Sequence, residues 1–227
     1  MCAVFAFCGA AEELNLGANG AVENTEFQEH FTVDYFTQNI NKWADVFGKM
    51  SYNKHSALNF LEIGSLEGRS TTWLLKNILQ HPDSRITCVD TWQGSIEHPA
   101  ELKEGLYERF IHNIQPHISK VDVKRGFSNK MLRDPKIQSQ IFDFIYIDGG
   151  HHSRNALEDA ILAFPLLKKH GILIFDDYLI GTDAFAQSND EPKAGIDAFL
   201  RFYAGSYNVF EHSYQLGLQK LKDPEDL

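Results

Sequence analysis

The sequence predicts a doubly wound α/β fold, with a mostly parallel sheet of seven strands that ends in an antiparallel hairpin. Short apolar runs, typical of strands buried on both faces, alternate strictly with longer segments whose apolar residues recur at helical spacing. This alternation is the pattern of a doubly wound sheet. Several of the apolar runs end in a carboxylate, so acidic side chains are expected at the carboxyl edge of the sheet, where open α/β folds bind ligands.

The predicted strands and helices follow one another in a regular order. The five parallel strands are at 57–64, 85–90, 121–126, 142–148 and 171–177. The helices after the first four strands are at 68–80, 100–114, 129–140 and 153–171, and a last helix is at 193–205. Two further strand-like runs, 207–214 and 215–221, adjoin each other and predict the terminal hairpin.

The chain of 227 residues fits one globular domain. We expect a loose N-terminal arm at 1–25, because Gly17, Asn19 and Gly20 interrupt any helix there. A single domain then covers 26–227. Its first part, 26–56, has apolar residues at helical spacing and predicts one or two helices that cap the site, ahead of a core at 57–227.

Composition narrows the class of protein. The net charge is −10 and no basic stripe occurs, which disfavours binding to nucleic acid or to an anionic membrane. No run approaches the roughly 20 apolar residues that span a bilayer, and the opening MCAVFAFCGAA lacks the basic start of a signal peptide. The three cysteines have no metal-ligand spacing and indicate a reducing compartment. We therefore expect a soluble, cytoplasmic protein.

The loop after the first strand carries Glu62, Gly64, Gly68 and Ser70 in the pattern E-x-G-x-x-x-G-x-S. It differs from the G-x-G-x-x-G loop that cradles a pyrophosphate in dinucleotide folds. Glycines at these two positions let the backbone approach a small ligand, and the next helix offers amides and the hydroxyls of Ser70 and Thr71 to a carboxylate. An ordinary tight turn is the alternative.

Asp90 ends the second strand, next to the first strand in space. Its carboxylate can accept both hydroxyls of a ribose, as in dinucleotide folds, although an isolated aspartate at a strand end is usually only solvated. With the loop at 62–70, it predicts a nucleoside pocket. Trp92 follows directly, and either covers an adenine or packs in the core.

Asp148 ends the fourth strand, and Asp176 and Asp177 end the fifth strand 28 residues later. Parallel strands bring these carboxylates to one edge of the sheet. Three carboxylates without a cation or protons would repel one another strongly, so the sequence predicts a site for a hard metal ion. The alternative is that Asp176 and Asp177 merely terminate a strand.

Taken together, E-x-G-x-x-x-G-x-S, the acidic end of the second strand, G-F-S at 126–128 and the IDGGHH…LLKKHGILIFDDY block resemble class I S-adenosylmethionine-dependent methyltransferases. The resemblance covers roughly residues 57 to 220 and implies the Rossmann-like methyltransferase fold. It is strongest with metal-dependent small-molecule O-methyltransferases that act on macrolide or aminocoumarin sugars, and more distant with the catechol type.

The resemblance also implies roles for individual residues. It assigns cofactor binding to Glu62, Gly64, Ser65, Gly68, Ser70, Asp90, Thr91, Trp92, Phe127, Ser128 and Asp148. The methionine part of S-adenosylmethionine falls to the loop at 62–70, the ribose to Asp90, and the adenine to Phe127 and Ser128. Magnesium, or another divalent cation, falls to Asp148, Asp176 and Asp177.

His151 is the predicted catalytic base, acting beside Asp148, because some sugar methyltransferases place their base three residues after this aspartate. A histidine there can titrate near neutral pH. A helix-start or packing role for His151, or base function for His152, stays open. Catechol-type members have a lysine just after the metal aspartate, whereas this chain has glycines at 149–150 and no lysine until Lys168. A catechol substrate is therefore disfavoured.

The predicted function is methyl transfer to a hydroxyl of a small molecule, either sugar-containing or another natural product. Two alternatives are a nicotinamide-dependent oxidoreductase, which the missing third glycine opposes, and a non-catalytic ligand-binding protein on the same fold. A changed reaction on the same block, as in related hydroxylases, also stays open. The apolar residues of the arm and hairpin favour a homo-oligomer.

Overall fold

The computed structural model describes residues 27–49, 55–96, 98–180 and 190–223. A seven-stranded sheet has the order β3-β2-β1-β4-β5-β7-β6. Its strands are β1 Asn59–Ile63, β2 Arg85–Asp90, β3 Val121–Arg125, β4 Phe142–Ile147, β5 Leu167–Phe175, β6 Tyr207–His212 and β7 Leu216–Lys220. The strands from β1 to β5 pair in parallel, and β7 pairs antiparallel with both β5 and β6. This architecture confirms the predicted fold class.

Helices connect the strands on both faces of the sheet. They are α1 Ile40–Lys49, α2 Arg69–Asn77, α3 Ala100–Lys103, α4 Leu106–Ile114, α5 Ser128–Met131, α6 Pro135–Gln138, α7 Ser153–Ala163 and α8 Pro192–Phe202. Short 3-10 turns precede α1, follow α4 and follow α7. Within the described ranges, no helix is both long enough and apolar enough to cross a membrane.

The two faces of the sheet bury two separate cores. On one face, side chains of β1 and β4 pack against α1, α2 and α4, and the fully buried Trp43 lies edge-on to Tyr146 with ring centroids 4.8 Å apart. On the other face, Phe164, Phe175 and Phe199 pack where α7 and α8 cover β5. Burial on both faces explains why the central strands read as continuous apolar runs.

The predicted N-terminal helices are shorter than the sequence pattern suggested. Residues 27–36 form no helix, and the helical part begins only at Thr37, where Asp34 Oδ1 accepts a hydrogen bond from the backbone N–H at 2.9 Å. Thr32 instead donates its N–H at 2.8 Å and its hydroxyl at 2.7 Å to the buried carboxylate of Glu67. These long-range contacts satisfy polar groups that a helix would pair internally. The arm at 1–25 and most of the loop at 181–192 lie outside the described residues.

Three other predicted helices end or divide earlier than expected. Gly105, at φ 63°, separates α3 from α4, and Pro135 starts α6 after the cap formed by Asp134. The helix predicted at 153–171 ends at Ala163, and β5 begins at Leu167. Lys220, which is fully buried, donates to carbonyls of this junction, including that of Leu167 at 2.7 Å. The junction is therefore fixed by tertiary contacts.

Gly195 on α8 is required by close helix packing. A Cβ atom at this position would lie 1.9 Å from the backbone oxygen of Ser153 at the start of α7. We expect Gly195→Ala to lower the free energy of unfolding by about 1 to 3 kcal/mol, because the two helices must separate. Gly48→Ala on α1 is the matched control, since its Cβ would meet nothing within 4 Å. Chemical denaturation measures both, and equal stability of the two variants would contradict this packing.

Asp159 on α7 is a buried acid that makes stability depend on pH. It is 1% exposed, and burial raises its pKa from 3.8 to about 7, although the Ser128 hydroxyl counteracts the shift. The folded state therefore binds more protons than the unfolded state in this range, and stability falls as pH rises through it. Asp159→Asn removes this titration. We therefore expect the stability of the variant, measured relative to the wild type, to be about 2 to 3 kcal/mol more favourable at pH 8 than at pH 5. Denaturant unfolding at both pH values measures this, and an unchanged pH profile in the variant would refute it.

Candidate active site

The carboxyl ends of β1, β4 and β5 meet at one edge of the sheet. The N–H of Asp148 donates to Ile63 at 2.8 Å, and the N–H of Asp176 donates to Ile147 at 2.9 Å. These bonds continue the parallel ladder one step beyond the strands. They bring the predicted cofactor loop after β1 beside the two acidic strand ends.

Gly64 opens the cofactor loop with φ 87°, a backbone conformation that favours glycine. A Cβ atom here would lie 1.7 Å from the backbone oxygen of Asp148. Gly68 closes the loop with φ 81° and precedes the first residue of α2. Gly64 thus allows the loop to lie directly against the acidic edge, which an ordinary tight turn would not require, whereas Gly68 packs on the Phe110 ring.

Glu62 lies beneath this loop and is fully buried. Its Oε1 accepts a hydrogen bond from the Ser70 hydroxyl at 2.5 Å, and its Oε2 accepts one from the Thr71 hydroxyl. Burial raises the pKa of Glu62, whereas the two hydroxyls act in the opposite direction. The hydrogen bond between Glu62 and Ser70 therefore connects β1 to α2, and the Glu62 carboxylate is directed into the protein.

Asp90 organises the same loop from the end of β2. Its Oδ2 accepts the N–H groups of Ser65 and Leu66, both at 2.9 Å, and its Oδ1 accepts the N–H of Trp92 at 2.7 Å. A carboxylate has about four acceptor positions, so capacity remains for a ligand hydroxyl. Asp90 is therefore more than the solvated strand end that the sequence left open as an alternative.

Of the remaining residues predicted to bind the cofactor, some have buried side chains and others lie on the surface. The Trp92 side chain is 3% exposed, donates to the Leu66 carbonyl at 2.9 Å and packs on Phe110, so it belongs to the core. The burial of its ring leaves adenine contact to other residues. Phe127 is 57% exposed beside Ser128, and the preceding glycine bonds to the Asp90 carbonyl. The Thr91 hydroxyl accepts a hydrogen bond from the backbone N–H of Gln93 at 3.2 Å.

Asp148 and Asp176 share one donor, the hydroxyl of Tyr146. This hydroxyl lies 3.1 Å from Asp148 Oδ2 and 2.9 Å from Asp176 Oδ2. Burial, followed by the charges of Asp176 and Asp177, raises the pKa of Asp148 well above its usual range. Burial and the charge of Asp177 raise the pKa of Asp176 to about 6. Negative charge at this edge is therefore only partly compensated by the protein.

Asp177 faces a different set of partners. Its backbone has φ 56°, and His151 Nε2 lies 2.8 Å from its Oδ2, while the Tyr214 hydroxyl donates to its Oδ1. Although burial acts against it, the hydrogen bond and charge of His151 keep the pKa of Asp177 below its usual value. His152 points elsewhere, since it is exposed and lies 2.8 Å from Asp190.

Among the described residues, Asp148, His151 and Asp177 each offer a ligand atom within 4.8 Å of one another. Two carboxylates and an imidazole with uncompensated negative charge are a chemically suitable set for a divalent cation. Asp176, predicted as the third ligand, is outside this group. Its Oδ1 accepts a hydrogen bond from the Gln215 amide at 2.9 Å, and Tyr146 occupies its Oδ2. The structure thus groups His151 with the two aspartates.

Three hydrogen-bond donors at the acidic edge were not predicted from the sequence: Tyr146, Tyr214 and Gln215. Tyr146 lies in β4, two residues before Asp148, which directly follows the strand. The two-residue period of a strand predicts both side chains on the same face of the sheet. Tyr214 and Gln215 lie in the turn of the terminal hairpin and carry no comparable local signal. Only the pairing of β7 with β5 brings that turn to the acidic edge.

Comparison with known proteins identifies the family. Residues 61–178, just over half of the chain, match the family model of a methyltransferase domain. No curated protein matches the chain.

Several solved structures share the fold. The O-methyltransferase NovP is 14% identical with a TM-score of 0.60, and the alignment covers 81% of each chain. TomG from Streptomyces achromogenes, an O-methyltransferase of tomaymycin synthesis solved with S-adenosylmethionine, is 17% identical with a TM-score of 0.52 over 80% of each chain. MycE from mycinamycin biosynthesis, solved with Mg, S-adenosylhomocysteine and mycinamycin VI, is 13% identical with a TM-score of 0.55, over 85% of this chain and 52% of its own. The match across β1 to β5 therefore shows that this protein belongs to the methyltransferase domain family, as its motifs predicted.

Proposed function

We propose that this methyltransferase transfers the methyl group of S-adenosylmethionine to a hydroxyl of a small molecule, with the help of a divalent cation. The observation that carries the proposal is the contact between Gly64 and Asp148. Because the cofactor loop lies directly on the backbone of the acidic strand end, a methyl donor in the loop and an acceptor at the carboxylates would be neighbours.

The cofactor part of the proposal assigns the loop at 64–68 to the methionine group and Asp90 to the ribose. We assign the adenine to Phe127 and Ser128, because the glycine just before them donates its N–H to the Asp90 carbonyl at 2.8 Å. Structures of TomG with S-adenosylmethionine and of a Bacillus cereus O-methyltransferase with S-adenosylhomocysteine share this fold and support the choice of cofactor. Glu62 acts from below by fixing α2 relative to β1.

The cation would be held by Asp148 and Asp177, whose oxygens suit magnesium. When bound, such a cation lowers the pKa of an acceptor hydroxyl and orients its oxygen. The MycE structure with Mg supports this choice. Asp176 completes the acidic edge but lies outside the group formed by Asp148, His151 and Asp177, and it contacts Tyr146 and Gln215 instead. We therefore assign it to support rather than to ligation.

We assign His151 as the base that removes the proton of the acceptor hydroxyl. Its Nε2 faces the cluster at 2.8 Å from Asp177, and the imidazole is the donor in this contact because a carboxylate only accepts. When Asp177 turns to the cation, Nε2 would give up this contact and, as a neutral imidazole nitrogen, would receive the proton of the acceptor hydroxyl. The oxygen displaces sulfur at the methyl carbon. The sulfur–methyl bond breaks as the oxygen–methyl bond forms, and S-adenosylhomocysteine leaves. The protein then contributes mainly by holding the two reactants in line.

We propose an acceptor of the natural-product type, such as a sugar-bearing compound. The fold is shared with enzymes of tomaymycin, calicheamicin and mycinamycin biosynthesis. The glycines at 149–150 replace the lysine of catechol-type enzymes, and the net charge of −10 disfavours a polyanionic acceptor. The three cysteines, which have no metal-ligand spacing, support a reducing compartment and hence a cytoplasmic protein.

Calorimetric titration with S-adenosylmethionine and S-adenosylhomocysteine tests the cofactor assignment. We expect Asp90→Ala to weaken binding about ten- to a hundredfold, since hydrogen bonds to charged groups contribute about 1.5 to 3 kcal/mol. Asp122→Asn on the neighbouring β3, where the carboxylate pairs with Lys124, is the control and should bind as the wild type does. Binding of NAD instead would favour the oxidoreductase. No binding of any of these ligands would favour a non-catalytic binding protein.

Manganese titration, followed by electron paramagnetic resonance, tests the cation site. We expect Asp177→Asn to weaken Mn²⁺ binding by at least about tenfold, because it removes a ligand charge. If the histidine is the base, His151→Ala removes only an outer partner of Asp177 and should weaken Mn²⁺ binding by no more than about tenfold; His152→Ala is its control. Loss of Mn²⁺ binding in His151→Ala would instead make the imidazole a ligand.

A further inference from the structure

The turn of the terminal hairpin reaches the acidic edge through the register of the sheet. Leu216 of β7 pairs with Phe175 of β5 in antiparallel register. The residue before one strand therefore meets the residue after the other, which places Gln215 opposite Asp176. Gln215 is 2% exposed, and its Nε2 donates to Asp176 Oδ1 at 2.9 Å.

The orientation of this amide is fixed by Trp43 on α1. The indole N–H of Trp43, which can only donate, lies 2.9 Å from Gln215 Oε1. The amide oxygen must therefore face α1, and the NH₂ group must face Asp176. The ring of Trp43 is fully buried and rests edge-on against Tyr146, so it has little freedom to turn.

The contact continues from Asp176 to Asp148. With Gln215 on one oxygen of Asp176 and Tyr146 on the other, this carboxylate is held from both sides. The Tyr146 hydroxyl also lies 3.1 Å from Asp148 Oδ2. A single connected path therefore runs from α1, through the hairpin turn, to the carboxylate that we assign to the cation.

We propose that Gln215 is a positioning residue, which Trp43 orients so that it holds Asp176 and, through Tyr146, sets the direction of the Asp148 carboxylate. This inference rests on the proposed cation site. It assigns a task to Asp176 that differs from that of Asp177: the first aspartate of the pair supports, and the second faces the ligand.

The experiment compares Mn²⁺ binding by the full chain and its variants, using electron paramagnetic resonance. Gln215→Met keeps the side-chain length but removes the donor, and we expect Mn²⁺ affinity to fall roughly tenfold, as for other outer partners of metal ligands. The spectrum of the bound Mn²⁺ should also change. Trp43→Phe keeps a ring but lacks the N–H, and it should weaken binding in the wild type but add little to Gln215→Met, because both act on one path.

The matched control is Lys42→Met. Lys42 joins the same helix to the same turn, with its Nζ 2.9 Å from the Ser213 hydroxyl, but does not contact the acidic edge. It should leave Mn²⁺ affinity unchanged. S-adenosylmethionine affinity and thermal unfolding, measured on every variant, show that the cofactor pocket and the fold are retained.

Two results would overturn the inference while the proposed function stands. The first is a folded Gln215→Met variant with wild-type Mn²⁺ affinity and spectrum, and the second is an equal loss of affinity in Lys42→Met. A third outcome, in which the wild-type protein binds S-adenosylmethionine but no Mn²⁺, bears on the proposed function itself. It would remove the cation from the proposed function, and the positioning role with it.

Discussion

The close approach of Gly64 to Asp148 is the constraint on which the site depends. The backbone oxygen of Asp148 occupies the space where any other residue at position 64 would carry its Cβ atom. Neighbouring parallel strands fix this approach, because the N–H of Asp148 continues the ladder from Ile63. The cofactor loop and the acidic edge therefore hold one relative position, set by backbone rather than by flexible side chains. Under the proposed function, proximity of the methyl donor and its acceptor would follow from strand order.

The acidic edge shows how the fold manages buried negative charge. The donors are distributed over the three carboxylates: Asp148 and Asp176 share the Tyr146 hydroxyl, Gln215 donates to Asp176, and Asp177 contacts His151 and Tyr214. These donors only partly offset burial, since the pKa of Asp148 and that of Asp176 are still raised. A cluster that is costly without a ligand is typical of functional sites, where local stability is given up for binding.

Much of the fold could be predicted because its signals are local. Buried parallel strands read as apolar runs, and the carboxylates that end β2, β4 and β5 mark one edge of the sheet once strand alternation is recognised. The choice between core and pocket for Trp92 could not be made this way, because it depends on contact with Phe110 on α4. The hairpin donors depend on strand pairing, which no local pattern encodes. The division between Asp176 and Asp177 likewise follows from their tertiary partners.

The segment at 27–36 was predicted as helix because its apolar spacing fits one, yet the structure ties it to Glu67. That glutamate lies within the cofactor loop and accepts hydrogen bonds from Thr32, 35 residues earlier, and from Arg109 at 2.6 Å. The conformation of the loop therefore depends partly on residues outside it. Grafting residues 62–70 onto another scaffold would transfer the sequence of the loop without its conformation. Recombination between relatives would have to exchange the loop and the segment at 27–36 together to keep them compatible.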